Sequence, residues 1–371
     1  MDLSTLRSEI DSIDNEMLEL FKRRMEINID VAKYKQANNM PIFQQGRENQ
    51  VIDRVKSNSP DWLQNGTESL FLQIMDIGKS IQQQTLYKDI FMEYQPLDVN
   101  NSSKVACFGI EGSNTEQAVL KIFPNCKNIK YISTFEDVCK SVESGETDFG
   151  VLPIQNSTSG SINTTYDLLK KYNLYITNTV DVSLSHCLAV KEGTKLQDVK
   201  KVYSHPQGFT QCSEFMEKYQ FEAHEHGNTS LSAKHVLESD MPIGAICSEH
   251  CAKLYGLVPI LKNISDVLPN YTQFVCVSNK FRKSKDANII SVILTIPHVK
   301  GSLYRLLTKF FVCGLNLVKL ESRPIMDGSF EFAFYLDFEG TVDDIVVSSL
   351  LTSLKNELEY FKFLGNYSHI D

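Results

Sequence analysis

Apolar residues recur three and four apart from the first turn of the chain: Leu3, Leu6, Ile10, Ile13, Met17, Leu20, then Ile27, Val31 and Tyr34. The spacing predicts one long helix over about 3–37 with a heptad-like stripe, ended by "NNMP" at 38–41. A shorter helix is expected after Arg47. A third is expected over about 67–88, where Leu70, Phe71, Ile74, Met75, Ile77 and Ile81 are apolar. Residues 1–90 therefore read as an all-helical domain. "YQPLDVNNSSK" at 94–104 is polar and turn-rich, as a linker would be. The period then changes. From 104 to 280, short β-rich runs ("KVACFGI", "DFGVLPI", "LYITNTV", "HCLAV", "KKVYS", "IGAIC", "TQFVCVS") alternate with helical stretches. That alternation predicts an α/β domain, its length and repeated strand–loop–helix junctions suggesting two lobes. Residues 288–371 read β-α-β-β-α-β, the ferredoxin-like α+β order, with helices at about 301–313 and 342–356.

Composition narrows the function classes. The chain has 371 residues, 42% hydrophobic and 22% charged, with a net charge of −9. An acidic balance argues against nucleic acid or an anionic membrane as partner. The apolar run "IISVILTI" at 289–296 is too short to span a bilayer. The start "MDLSTLRSEID" lacks a secretory pattern. Nine cysteines without paired spacing fit a reducing compartment, so a cytoplasmic location is expected. "CSEHC" (Cys247, His250, Cys251) offers half a metal site with no second half in view.

The helical stripe has one anomaly. Between Leu20 and Ile27 the apolar position is taken by Arg24. Burying an unpaired guanidinium costs too much for a packing choice, so an anion should meet it, unless the stripe ends there and the side chain reaches water. Lys35, eleven residues on, falls on nearly the same face. Arg47, Glu48, Ser80 and Gln84 add polar groups on otherwise apolar helices, and Ser80 and Gln84, four apart, share a face. Such groups could converge on a small polyanion. A long helix cannot bury its stripe against two short ones, which calls for a two-chain bundle.

"LRSEIDSIDNEMLELFKRRMEINIDVAKYK…RE…GKSIQQQ" resembles the all-helical chorismate mutase domain. The resemblance implies an intertwined homodimer, or a higher homo-oligomer, in which each site borrows Arg7 from the partner. Arg24, Lys35, Arg47, Glu48, Ser80 and Gln84 match the remaining ligands, and Gln44 stands where aspartate is frequent. The implied reaction, chorismate to prephenate, is an intramolecular rearrangement that needs no nucleophile, only a compact conformer and donors at the ether oxygen.

"GIEGSNTEQA" (109–118), "LPIQNSTSGSI" (152–162), "SHPQGFTQC" (204–212), "NTSLSA" (228–233) and "NYTQF" (270–274) are similar to motifs of prephenate dehydratase. Without that likeness each reads only as a capped loop. The resemblance implies a fold like the periplasmic binding proteins and site residues Asn156, Ser204, Gln211 and Thr272, with Thr272 assisting loss of the ring hydroxyl. Two positions depart from it: Gln155 replaces the usual glutamate and Gln273 the usual arginine. No arginine lies between Arg54 and Arg282. Gln273→Arg is on this basis expected to lower KM for prephenate.

"PHVKGSLYRLLTKF" (297–310) and "LESRPIMDGSFEFAFYLDFEG" (320–340) resemble the ACT regulatory domain attached to this dehydratase. That implies an L-phenylalanine site at Gly301, Ser302, Leu303, Tyr304, Glu321, Ser322, Arg323 and Pro324. The whole chain resembles the bifunctional P-protein family: mutase, dehydratase and ACT domain in that order, without cofactor or metal. Two other readings stay open: a mutase fused to a silent, phenylalanine-sensing lobe pair, and a pure binding module.

Overall fold

The computed structural model describes residues 2–38, 40, 45–86, 91–98, 103–267, 269–325 and 332–370. Gln44 and the "MDGSFE" part of the 320–340 motif lie outside the described residues. The chain divides into two compact units: Met1–Glu93 with Asn288–Phe363, and Tyr94–Ala287 with Leu364–Asp371. The pattern predicts three segments; in the structure the first and third pack together.

In the first unit, α1 (Leu3–Ala37) is a single helix of 35 residues, as its stripe predicts. Asp2 caps it by accepting from the Thr5 amide at 2.8 Å. Only Met25 and Ala32 of this helix are buried. Leu3, Ile10, Ile13 and Leu20 remain 62, 56, 55 and 66% exposed, an apolar face without a cover in one chain. α2 (Gln45–Ser57) and α3 (Gln64–Leu86) complete the helical part. α3 buries mostly polar groups, Asp76, Lys79, Ser80, Gln82 and Gln83 among them, because it is packed on every side. α1 and α2 meet one flank, and two later helices of the same unit meet the other. Gly78 permits the close approach to α1: a Cβ there would lie 2.2 Å from the Asn28 amide.

The same unit holds the β-α-β-β-α part of the expected order and the first residues, 361–363, of its last strand, Phe361–Ile370. Strand Phe332–Glu339 runs antiparallel between Ile289–Thr295 and Leu317–Pro324. The last of these strands is an edge, with Val318 and Leu320 exposed.

The second unit has two lobes. In one, Lys104–Phe108 pairs in parallel with Asn128–Ile132 and Phe149–Asn156. Strand Tyr271–Ser278 runs antiparallel to both Phe149–Asn156 and Tyr175–Ser183. Helices α4 (Asn114–Ile122), α5 (Phe135–Glu143) and α6 (Asn163–Lys171) cover this sheet. The residues 368–370 at the chain's end pair in parallel with Tyr175–Ser183. The other lobe orders its strands Val258–Lys262, His186–Val190, Gly244–Ser248, Lys201–Ser204, Glu222–Glu225. Its helices are α7 (Pro206–Thr210), α8 (Ser213–Tyr219), α9 (Thr229–Glu238) and α10 (Glu249–Leu254). The chain crosses between lobes after Ser183 and again before Tyr271. Among the described residues, three strands of four or more residues escape the sequence pattern: Asn128–Ile132, Glu222–Glu225 and Val258–Lys262. All are sheet-flanking and half exposed, so they carry no apolar run. Gln95–Pro96, inside the expected linker, pairs with Arg282–Lys283.

In the first unit, α11 (Ser302–Val312) and α12 (Ile345–Glu357) are the two helices that meet α3. No described helix is long and apolar enough to cross a membrane. No described group of three His, Cys, Asp or Glu side chains could hold a metal, and Cys247 and Cys251 are buried thiols.

Candidate active sites

Where α1, α2 and α3 meet, a cleft of about 110 Å³ opens, lined by Arg24, Asn28, Lys35, Arg47, Glu48, Met75, Gly78, Lys79 and Gln82. Four cationic side chains face one carboxylate, which suits a ligand with two negative charges. Arg24 donates to the Ile74 carbonyl at 3.2 Å, and burial lowers its pKa. Burial also lowers the Lys35 ammonium, and the nearby Glu48 partly offsets this. Arg24, Lys35, Arg47 and Glu48, picked from the sequence, thus converge. Arg24 takes the apolar position because its face turns from the open stripe into the cleft.

Arg7 is exposed and lies seventeen residues before Arg24 on the same helix, about 25 Å away. It cannot reach this cleft within one chain.

Ser80 and Gln84 require a correction. Two residues along a helix rotate a side chain by about 200°. The cleft-facing positions of α3 are Gly78 and Gln82. Ser80 and Gln84 face the other way: Gln84 donates to the Cys313 sulfur at 4.0 Å, near Gln83, which donates to Glu357 at 2.6 Å. Gln82 is buried, and its side-chain oxygen has no hydrogen-bond partner among the described residues. Lys79, which pattern reading passes over as one polar residue in an apolar helix, sits in the cleft, 3.0 Å from Glu48 and 2.7 Å from Asp76.

In the second unit, the residues expected from the dehydratase-like motifs fall into two pairs, one per lobe. Asn156 ends strand Phe149–Asn156 and is buried with Thr272, its register partner. The Asn156 amide donates to Thr272 Oγ1 at 3.0 Å, to Asn270 Oδ1 at 2.9 Å and to the Tyr271 carbonyl at 3.0 Å. Its oxygen accepts from the Thr158 and Ser159 amides at 3.0 and 2.9 Å. The side chain therefore pins the "QNSTSG" loop to the "NYTQF" strand.

In the other lobe, Ser204 donates to the Ile246 carbonyl at 3.0 Å. A Cβ at Gly208 would sit 2.4 Å from its hydroxyl, which explains the glycine in "SHPQG". Gln211 Oε1 meets His186 Nε2 at 2.9 Å. Burial holds the His186 pKa down, so the ring is neutral. Gln211 Oε1 can only accept, so the neutral ring that meets it carries its proton on Nε2, and Nδ1 has no partner among the described residues. The Gln211 NH₂ is then left for a ligand. His186 carries no sequence signal beyond a polar residue opening "HCLAV".

Gly301 precedes α11 in the left-handed region (φ +84°), and no described atom lies within 4 Å of where a Cβ would stand. Ser302, Leu303 and Tyr304 form the first turn of that helix, and Glu321, Ser322, Arg323 and Pro324 end the edge strand.

Two family models match the chain: "Chorismate mutase type II" over residues 6–83 and "Prephenate dehydratase" over residues 105–282. A bifunctional chorismate mutase/prephenate dehydratase from Aquifex aeolicus is 29% identical over 99% of this chain and 98% of its own. Its counterpart from Buchnera aphidicola subsp. Schizaphis graminum is 31% identical over 99% of this chain and 96% of its own. Among solved structures, prephenate dehydratase from Arthrobacter aurescens in complex with L-Phe superposes with a TM-score of 0.63. It has 27% identity and covers 71% of this chain and 90% of that one.

Proposed function

The chain belongs to the bifunctional chorismate mutase/prephenate dehydratase family, and on that premise we propose how its two sites work. The enzyme converts chorismate to prephenate and prephenate to phenylpyruvate.

The mutase reading rests on one observation, the four cations around one carboxylate in the α1–α2–α3 cleft. Arg24 and Arg47 clamp substrate carboxylates in the fork geometry that guanidinium suits. Lys35 and Gln82 face the ether oxygen, where charge builds as the bond breaks. Glu48 accepts from the ring hydroxyl. The remaining arginine is Arg7 of a second copy, brought in when two α1 stripes cover each other in a homodimer. Covering a Leu or Ile side chain stabilises by about 1.5–3 kcal/mol, and five such residues of the α1 stripe (Leu3, Ile10, Ile13, Leu20 and Ile27) are more than half exposed in one chain. Arg7→Ala and Arg24→Ala should each abolish mutase turnover. After subunit exchange, a mixture of the two should regain part of it, because one hybrid site is intact. Proven exchange without recovery rejects the shared site.

The dehydratase step loses the ring carboxylate as CO₂; its electron pair enters the ring and expels the C4 hydroxyl, which leaves as water on gaining a proton. The Asn156 amide donates to Thr272 Oγ1, so the Thr272 O–H is free to point at that leaving group. A hydroxyl is a weak acid, and decarboxylation supplies much of the drive. On the facing lobe the Gln211 NH₂ binds an anionic group of the substrate, while Ser204, fully buried with its O–H given to the Ile246 carbonyl, holds the loop in place rather than touching substrate.

An L-phenylalanine site at Gly301–Tyr304 and Glu321–Pro324 makes the β-α-β-β-α-β part an ACT-type sensor. The Arthrobacter relative supports this by its L-Phe complex, and the exposed edge strand Leu317–Pro324 offers the surface for a second copy. Purified protein supplied with chorismate should accumulate prephenate and then phenylpyruvate when the two are followed separately. Prephenate alone would favour the silent-lobe reading.

A further inference from the structure

Glu48, the single carboxylate lining the mutase cleft among the described residues, is held from outside it. Its Oε1 lies 3.0 Å from Lys79 Nζ and its Oε2 3.3 Å from Arg305 Nη2. Arg305 belongs to α11, in the β-α-β-β-α-β part of the chain. The same guanidinium grips Asp76 through both carboxylate oxygens, Nη2 to Oδ1 at 3.0 Å and Nε to Oδ2 at 3.2 Å. Lys79 closes the ring on Asp76 at 2.7 Å. Two cations and two carboxylates alternate: the Lys79, Asp76 and Glu48 side chains are 9, 4 and 15% exposed, and Arg305, at 36%, closes the cluster on its solvent side. Each charge there depends on the others, because a buried ion without a partner is costly.

We propose that Arg305 is a positioning residue of the mutase site, acting through Glu48; this rests on the role given to Glu48 above. With Arg305 gone, Lys79 is left to hold Asp76 unaided, and Glu48, drawn toward the remaining cations of the cleft such as Lys35, swings away from the hydroxyl it should receive. Misplacement by about 1 Å can cost up to 10²-fold in rate. The effect falls on turnover more than on KM, because Arg24 and Arg47 still bind the carboxylates.

Mutase kinetics of the full-length enzyme test this in a double-mutant cycle. Arg305→Ala should lower mutase kcat about tenfold with KM changed less than threefold, and Arg305→Lys should recover at least a third of the rate. In a Glu48→Gln background, Arg305→Ala should change kcat less than twofold. Dehydratase turnover and the far-ultraviolet circular dichroism should stay at wild-type values throughout. Should the alanine variant fail to fold, Arg305→Gln, which keeps the volume and drops the charge, takes its place. Equal losses in both backgrounds, or no loss beside native Glu48, overturn the proposal. If Glu48→Gln alone leaves the mutase unchanged, the role of Glu48 itself is wrong.

Discussion

Single side chains decide which of two near-identical motifs is the functional one. "GKSIQQQ" holds a Ser-x-x-x-Gln pair, Ser80 and Gln84, and a Gly-x-x-x-Gln pair, Gly78 and Gln82. Both have helical spacing, and three consecutive glutamines leave the register unmarked. Only the packing of α3 on α1 through Gly78 selects the second pair. Gln82→Ala should therefore cost about 10²–10³ in mutase kcat, as loss of a transition-state donor does, while Gln84→Ala should stay within about twofold. Steady-state mutase assays on both decide it; the reverse ranking restores the Ser80–Gln84 register. His186 gives a second test at this scale. Burial lowers its pKa in the folded protein, so the unfolded chain binds the extra proton first as pH falls. Its contribution to stability is full above about 6.5 and declines as pH drops below that value. Thermal melts between pH 5 and 8 should show a decline on the acid side that flattens in His186→Gln. An unchanged profile would mean that the ring takes up no proton in this range on unfolding.

Elements with strong periodicity were legible; those that lean on neighbours were not. α1 runs over the very residues its stripe marks, and the buried strands announce themselves as apolar runs. The polar flanking strands do not, because hydrogen bonds to a neighbour, not burial, make them strands. Strand pairing also explains what sequence alone left isolated. Gln155 and Gln273, the two departures from the dehydratase pattern, are register partners across adjacent strands, and Asp181 lies on the other side of Gln273. Directly opposed side chains sit about 4.5–5.5 Å apart at Cβ. The two glutamines thus read as one joint replacement of an opposite-charge pair by a neutral one. This changes the outcome expected for Gln273→Arg. Alone, its guanidinium would turn toward Asp181, and dehydratase kcat/KM should fall about three- to tenfold. Gln155→Glu alone should be worse, because a carboxylate would repel the dianionic substrate. The double variant should return to within twofold of wild type. Additive losses would show that the two positions act independently; a faster Gln273→Arg single variant would revive the simple substrate-clamp reading.

At the scale of the whole chain, sequence order misleads about what is one body. The helices of residues 3–86 and residues 288–363 are separated by about 200 residues, yet they form one compact unit with α3 at its centre. Helical periodicity does not mark the polar contacts among those that join them: Arg305 to Asp76 and Glu48, Gln83 to Glu357, and Gln73 to the Tyr304 hydroxyl. The consequence concerns regulation. α11 carries Gly301 at its start and Arg305 one turn later, the Arg305 amide donating to the Gly301 carbonyl at 2.9 Å. An amino acid seated on the Gly301–Tyr304 turn would touch the same helix that holds Glu48. Any shift of that turn is therefore felt in the mutase cleft, and linkage makes the effect reciprocal: each ligand changes the other's affinity by one common factor. Couplings of this kind commonly reach about 5- to 150-fold. Calorimetric titration of L-phenylalanine, with and without a saturating unreactive dicarboxylate mimic of chorismate, should show a shift in Kd of at least fivefold. The mimic's own Kd should move by the same factor when phenylalanine is saturating. In Arg305→Ala both factors should fall toward one, with phenylalanine still bound. A wild-type factor of one would confine feedback to the dehydratase, and a factor that survives the loss of Arg305 would route the coupling through another contact of α3.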